Sequence, residues 1–362
     1  MTLHTGFISA LYGSNCVIGS ETGDGNVCQH ELNALKAVTN VRLVLDREKL
    51  SRYNPQNDVW LQDLSALAWI KDSGIKFRLA HFYGGPYFAT FEYLATQGTK
   101  LVVTMPAHKR KLSIEEHERW YGTYPFIHVK DDSLFQVYTR HVALAGVVIA
   151  PSANSRQAII EDMGVSSEKI VIVPHGCDVP QKVEPIPEKF QVLFLSQAGA
   201  DKGIPYLVQA WGKLAYSDAE LVFVGAGTDH LDGVIKALAV AGKFRLLGRV
   251  EDVNKVYSEA SVLVLPSVNE GFGITALEAM AHGRPVIVAG GAGSHDVVRN
   301  GQDGFIVPIR DPEAIAEKID WLKNNPDRLR EMGKEARRTA RKYSWDKIEK
   351  HYQEVYASTC YE

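Results

Sequence analysis

Apolar residues fall in short, nearly continuous runs separated by longer amphipathic stretches. In the first half the runs are Thr5–Leu11, Val41–Leu45, Phe77–Phe82, Leu101–Met105, Gly146–Ala150 and Ile170–Val173. In the second half they are Gln191–Leu195, Leu221–Val224, Arg245–Leu247, Val262–Leu265, Pro285–Ala289 and Phe305–Val307. Several are apolar throughout rather than alternating, as expected of strands covered on both faces in a parallel sheet. Strand–helix–strand alternation in both halves predicts two doubly wound α/β domains. Between them, Asp178–Lys189 carries Pro180, Pro185 and Pro187 and no periodicity, and reads as a linker. From Trp345 the chain is helical, with Trp345, Ile348, Tyr352, Val355 and Tyr356 on one apolar stripe. That helix follows the last strand at a distance, so it can pack outside its own domain.

Composition narrows the classes open to such a chain. A length of 362 residues fits two domains, and 45% apolar with 23% charged residues is ordinary globular composition. Lys and Arg number 40 against 43 Asp and Glu, and neither half is strongly charged, so a broad nucleic-acid-binding surface is not expected. No Lys or Arg precedes Lys36, and the longest apolar run, Val142–Ala150, has nine residues. A span needs ~18, so neither a signal peptide nor a membrane span is expected, and a cytoplasmic setting is. Cys16, Cys28, Cys177 and Cys360 are scattered, without the spacing of a zinc site or a disulfide framework. They read as small apolar residues of a reducing compartment. No solenoid repeat is visible.

The chemistry concentrates in Ser261–Ala289. A strand ends at Pro266, a loop carries Glu270-Gly271-Phe272-Gly273, and a helix is expected from about Ile274 to His282, with Gly283 at its end. Gly271 and Gly273 remove side chains where a helix N-terminus presents unpaired N–H groups, a place suited to phosphate. Glu270 and Glu278 are poor partners for that anion but good acceptors for hydroxyls of sugars attached to it. The alternative is an ordinary strand–loop–helix with both glutamates solvated.

Glu270-Gly-Phe-Gly-Ile-Thr-Ala-Leu-Glu278-Ala-Met-Ala-His-Gly283-Arg-Pro-Val-Ile resembles the E-x7-E region of glycosyltransferase family 4. Further resemblances follow in the family's order. Gly23-Asp-Gly25-Asn before Glu31-Leu32 resembles its glycine-rich first loop and helix. Ile172-Val-Pro174-His-Gly176-Cys-Asp178 is similar to its I-P-N-G-V-D turn, with His175 in place of Asn. Asp201-Lys202-Gly203 resembles its K-G element, and Tyr343-Ser-Trp-Asp its closing helix. The family implies a GT-B fold: two Rossmann-like doubly wound domains, an interdomain cleft and a C-terminal crossover helix. On that reading residues 1–186 with 345–362 bind the acceptor, and 187–344 bind the nucleotide-sugar donor.

The resemblance also implies roles. Lys202, in a loop at the end of a parallel strand, would contact the donor diphosphate; a solvated loop lysine is the plainer alternative. Where the family often has a G-R pair, this chain has Ser196-Gln197, so Gln197 offers hydrogen bonds without charge. Backbone N–H groups of Gly273, Ile274 and Thr275 would meet the diphosphate, with Gly271 and Phe272 also at the donor. Glu278 would hold the ribose, Glu270 the transferred sugar, and Arg249 and Val250 would lie near the base. The Gly23–Gly25 loop would reach the cleft. Val102-Val-Thr104-Met-Pro-Ala-His108 resembles the strand ending in T-x-H, but Pro106 stands where the family has its His, and His108 lies two residues on. A surface histidine is the equal alternative. Tyr83-Gly84-Gly85 could line the acceptor pocket or simply turn. Gly225-Ala-Gly227 and Gly23-Asp-Gly25 lack the third glycine of a dinucleotide fingerprint and give no support to a nicotinamide cofactor. Lys109–Lys111 and Arg337–Arg338 with Arg341–Lys342 read as solvated faces, the first also a candidate contact with a lipid surface at the inner membrane face.

The expectation is therefore a retaining glycosyltransferase moving a sugar from a nucleotide-diphosphate sugar to a hydroxyl of a glycan, lipid or small molecule. No cofactor is expected. No D-x-D triplet occurs, so no metal is expected either. The alternatives are a nucleotide-sugar epimerase on the same fold and a non-catalytic sugar-nucleotide-binding protein.

Overall fold

The computed structural model describes residues 9–14, 23–45, 59–84, 87–120, 132–214 and 216–361. In chain order the first part runs β1 (Ser9–Ser14), α1 (Gly23–Val38), β2 (Asn40–Leu45), α2 (Val59–Ser73), β3 (Leu79–Tyr83), α3 (Phe88–Thr96), β4 (Lys100–Thr104), α4 (Arg110–Arg119), α5 (Asp132–Leu144), β5 (Val147–Ala150), α6 (Ala153–Met163) and β6 (Ile170–Ile172). The rest runs β7 (Gln191–Leu195), α7 (Ile204–Leu214), β8 (Glu220–Val224), α8 (Asp232–Ala237), β9 (Phe244–Leu246), α9 (Val253–Glu259), β10 (Val262–Leu265), α10 (Ile274–Ala281), β11 (Val286–Ala289), β12 (Gly304–Val307), α11 (Pro312–Asn324), α12 (Pro326–Ala340) and α13 (Trp345–Tyr361).

Two six-stranded parallel sheets result, ordered β2-β1-β3-β4-β5-β6 and β12-β11-β10-β7-β8-β9. The expected α/β class with two doubly wound domains is thus found. Continuous apolar strands do what their pattern implies. In β7, Val192 and Phe194 enter one core while Leu193 enters the core on the other face; Val262 and Val264 of β10 are separated from Leu263 and Leu265 in the same way. Helices start where short polar side chains can accept first-turn N–H groups: Ser152 from Ser155, Asp252 from Asn254 and Lys255, and Asp311 from Ala314.

The chain forms two compact units, residues 1–107, 130–175 and 345–362, and residues 108–129 with 176–344. The division falls at His175/Gly176 rather than near residue 186, because Asp178–Lys189 is tied to the second unit. Arg284, 1% exposed, donates to the carbonyls of Glu184 and Pro185, Arg337 donates to those of Pro180 and Gln181, and Ile186 packs on the core. Helix α4, expected in the first domain, also joins the second unit. Helix α13 joins the first and packs on α1, with His30 stacked on Trp345 at 4.2 Å. Strand β1 begins at Ser9, and residues 5–8 of the expected strand lie outside the described residues. So do Gly85 and Cys16, whereas Cys28, Cys177 and Cys360 are buried.

Candidate functional site

Within the second unit, the carboxyl ends of β7, β8, β9 and β10 carry most of the residues singled out from the sequence. After β7 the chain passes exposed Gln197 and forms a single turn, Ala200–Lys202, before α7. Gly203 closes that turn at φ +70°, where a Cβ would stand 2.0 Å from the carbonyl oxygen of Pro266. Only glycine allows the Lys202 turn to lie this close to the loop after β10. Backbone bonds complete the junction: Val268 and Asn269 N–H groups donate to the Asp201 carbonyl, at 2.8 and 3.4 Å.

Across that junction the Lys202 ammonium pairs with the Glu270 carboxylate. Ser267 also donates to Glu270, at 3.3 Å. Lys202 is 20% exposed and Glu270 14%, so Lys202 is a paired, mostly covered cation and not the solvated loop lysine of the plainer reading. Burial pushes the Glu270 carboxyl up, but the charge of Lys202, that of His108 when protonated, and hydrogen bonds from Lys202 and Ser267 outweigh it. Glu270 is held below its usual range and stays ionised.

Helix α10 begins beside this pair. Its cap, Gly273, adopts φ +87°, and a Cβ there would meet Leu265 Cδ2 at 2.5 Å. As first-turn groups, the N–H groups of Ile274 and Thr275 have no acceptor within the helix, and the dipole adds positive potential. Gly271 is buried, and the Phe272 side chain, 3% exposed, belongs to the core, which leaves backbone as what Phe272 offers near the helix start. On the next two turns, Glu278 accepts a 2.7 Å hydrogen bond from the Tyr257 hydroxyl. Burial raises the Glu278 carboxyl, the Tyr257 bond lowers it in part, and Asp178 raises it further; the net shift is upward. The two glutamates thus differ in kind, one paired with a cation and one held by a phenol.

Arg249 is exposed and Val250 half-buried, just after Gly248, whose N–H donates to Thr228 Oγ1 at 3.1 Å. Both sit past β9, on the same edge of the sheet. Gly23 and Gly25 open α1, in the first unit. His108, expected on the first domain, lies in the second unit with Glu270. Sequence reasoning missed Ser267, Asn269 and Tyr257 and gave Asp201 no role beyond its place in the K-G element, because polar residues in loops and one tyrosine in a short helix carry no periodic or spacing signal. Among the described residues no group of three or more His, Cys, Asp and Glu side chains is gathered to hold a metal, and no helix is long and apolar enough to cross a membrane.

A parallel α/β unit with a cation, a carboxylate and a helix N-terminus converging at its strand ends has the arrangement of a phosphate-bearing ligand site. Together with the second α/β unit, it gives the chain the GT-B fold. Residues 178–339 match the family model of glycosyl transferases, group 1. An uncharacterized glycosyltransferase of Methanocaldococcus jannaschii is 36% identical over 171 residues, covering 46% of this chain and 44% of that protein. The chain thus spans about half the length of the curated relatives it matches. Among solved structures, HepE of Anabaena in complex with UDP and glucose superposes with a TM-score of 0.74 at 18% identity, over 97% of this chain and 100% of that one. A glycosyltransferase from Rickettsia africae reaches 0.71 at 18%, over 99% and 100%.

Proposed function

We propose that this chain is a retaining glycosyltransferase of family 4 that moves a sugar from a nucleotide-diphosphate sugar to an acceptor hydroxyl, in the cytoplasm and without a divalent metal. The observation that carries the reading is the Lys202–Glu270 pair set beside the open first turn of α10. A diphosphate there meets the Lys202 ammonium and the N–H groups of Gly273–Thr275. As the sugar–phosphate bond breaks, charge grows on the departing oxygen, and these fixed donors gain strength in the transition state. Glu270, ionised, accepts from hydroxyls of the transferred sugar. Glu278 takes the ribose, Gln197 donates to the phosphates, and Arg249 and Val250 border the base. The first unit binds the acceptor, whose hydroxyl attacks from the face the diphosphate leaves, while Gly23 and Gly25 reach the donor. HepE, crystallised with UDP and glucose, and the D-inositol 3-phosphate glycosyltransferase of Streptomyces bingchenggensis, 42% identical over 101 residues, support a sugar-transfer reading.

The test is a panel of UDP-, GDP-, ADP- and dTDP-sugars with sugar and polyol acceptors, read by nucleoside diphosphate release and by NMR of the product. Transfer that persists in excess EDTA and keeps the donor's anomeric configuration is expected. An inverted product, or a loss that Mn²⁺ restores, would overturn the retaining or the metal-free part of the proposal.

A further inference from the structure

Residues 108–120 belong to the second unit, and the way they are held there concerns the site directly. The Asn269 amide makes three hydrogen bonds to this segment: Oδ1 accepts from the Lys109 N–H at 3.1 Å, and Nδ2 donates to the Lys109 carbonyl and to Ser113 Oγ, both at 2.8 Å. The Ser113 hydroxyl in turn donates to Asp201 Oδ2 at 3.0 Å. Asn269 is 5% exposed and Ser113 1%. Each anchor stands one residue before a member of the ion pair, Asn269 before Glu270 and Asp201 before Lys202. The Asp201 carbonyl already accepts from Val268 and Asn269, so one junction carries both anchors and both charges.

The far end of α4 is fixed as firmly. Fully buried Glu116 accepts from the Tyr206 hydroxyl at 3.0 Å, Trp120 Nε1 at 3.2 Å and Arg310 Nε at 2.5 Å, while Arg310 Nη2 reaches Glu115 at 2.9 Å. Arg310 is held at φ +60°, a left-handed conformation that is strained for a non-glycine residue, and such strain persists where surroundings over-determine it. A surface helix under no demand for position would not need two buried polar anchors and a strained arginine.

We propose that Asn269 and Asp201 are positioning residues: they clasp residues 108–113 to the junction bearing Lys202 and Glu270, which registers His108 to that pair, while Glu116 and Arg310 hold the far end of the helix. The lowering of the Glu270 carboxyl by His108 agrees with this placement. The proposal rests on the glycosyltransferase reading above, because it assigns the clasp an effect on turnover.

The experiment compares Asn269→Ala, Ser113→Ala, Asp201→Ala and Asp201→Asn with wild type in the same donor panel, beside melting temperature and hydrogen exchange of residues 108–120. Exposed Glu118, on the same helix, supplies the matched control Glu118→Gln. Misplacing a reacting group by ~1 Å can cost ~10²-fold, so Asn269→Ala should lower kcat about a hundredfold with donor KM within about threefold. Ser113→Ala should lose about tenfold, and exchange in 110–116 should quicken in both. Asp201→Asn keeps an acceptor for Ser113 and should recover most of what Asp201→Ala loses, which a merely structural role would not distinguish. Should Asn269→Ala fail to fold, the Ser113 and Asp201 variants carry the test. Folded variants with wild-type kcat beside an active wild type overturn the clasp alone. A wild-type chain that binds no nucleoside diphosphate and turns over no donor overturns the functional reading, and the clasp with it.

Discussion

Glu31 of the first unit and Glu270 of the second are held in opposite ways. Glu31 of α1, fully covered, accepts from the Tyr12 hydroxyl at 2.9 Å and from Thr104 Oγ1 at 2.6 Å. Thr104 spends its proton on Glu31, so His81 Nε2, 3.0 Å away, must donate to it, and the Tyr356 hydroxyl then donates to His81 Nδ1 at 2.8 Å. Burial drags His81 down to about 3, so it is neutral, and it pushes Tyr12 and Tyr356 well up, so they stay protonated donors. One carboxylate thereby ties β1, β3, β4, α1 and α13 together with neutral partners. Glu270 has a cation, Lys202, beside the Ser267 hydroxyl, remains partly exposed, and lies beside a helix N-terminus. A sealed carboxylate surrounded by neutral donors builds architecture. One that keeps some exposure and pairs with a cation suits the role proposed for Glu270 above.

The largest expected effect separates the units by pH. Burial holds His81 and His141 near 3 and His175 near 4, against ~6.5 when unfolded, and all three lie in the first unit. Their folded forms are neutral while the unfolded chain takes up protons first, so stability present above pH ~6.5 is lost as pH falls toward those values. Each should contribute a loss of order 2 kcal/mol by pH 5. Urea unfolding at pH 7 and pH 5, with hydrogen exchange to locate the change, should show the first unit weakening first. Equal weakening of both units would remove the contrast.

Next is Lys202→Ala, expected to lower kcat by ~10²–10³ through loss of a fixed donor to the leaving group. Because Lys202 covers the Glu270 charge, the variant should also lose ~1–3 kcal/mol of stability, which a solvated lysine would not. Steady-state kinetics beside denaturant melts check both parts, and near-normal kcat in a folded variant would move the site elsewhere. Glu31→Ala is the mirror experiment. It strands the Tyr12 and Thr104 hydroxyls, at a cost of ~2–4 kcal/mol, and should leave nucleoside diphosphate affinity unchanged wherever the protein is folded. Weakened binding without lost stability would contradict an architectural role.

Smaller effects sharpen the distinction within the second unit. Glu278→Gln should weaken donor binding by about ten- to a hundredfold, as expected for loss of a charge-assisted bond worth ~1.5–3 kcal/mol. Tyr257→Phe removes only the hydroxyl that orients Glu278 and should weaken binding by about three- to tenfold. Calorimetric titration ranks the two; a Tyr257 effect exceeding that of Glu278 would reverse the order of importance assigned here.

The alternation of apolar runs and amphipathic stretches is a local property of the chain, and it predicts the strands from β2 to β12 to within one or two residues. The strand, glycine-bearing turn and helix start that carry Glu270, Gly271, Gly273 and Glu278 are equally legible, since they are neighbours in sequence as well as in space. What tertiary structure decided involves residues far apart along the chain. Lys202 meets Glu270 only because Gly203 lets one turn approach the Pro266 carbonyl. Residues 108–120 leave the domain that sequence order suggests because Asn269 satisfies Lys109 and Ser113, and Tyr206 and Arg310 satisfy Glu116, in the second unit. Backbone preference and hydrophobic burial repeat at short periods and can be read from one stretch of chain. The pairing of a buried charge or amide cannot, because its energy depends on which distant partner folding brings within hydrogen-bond reach.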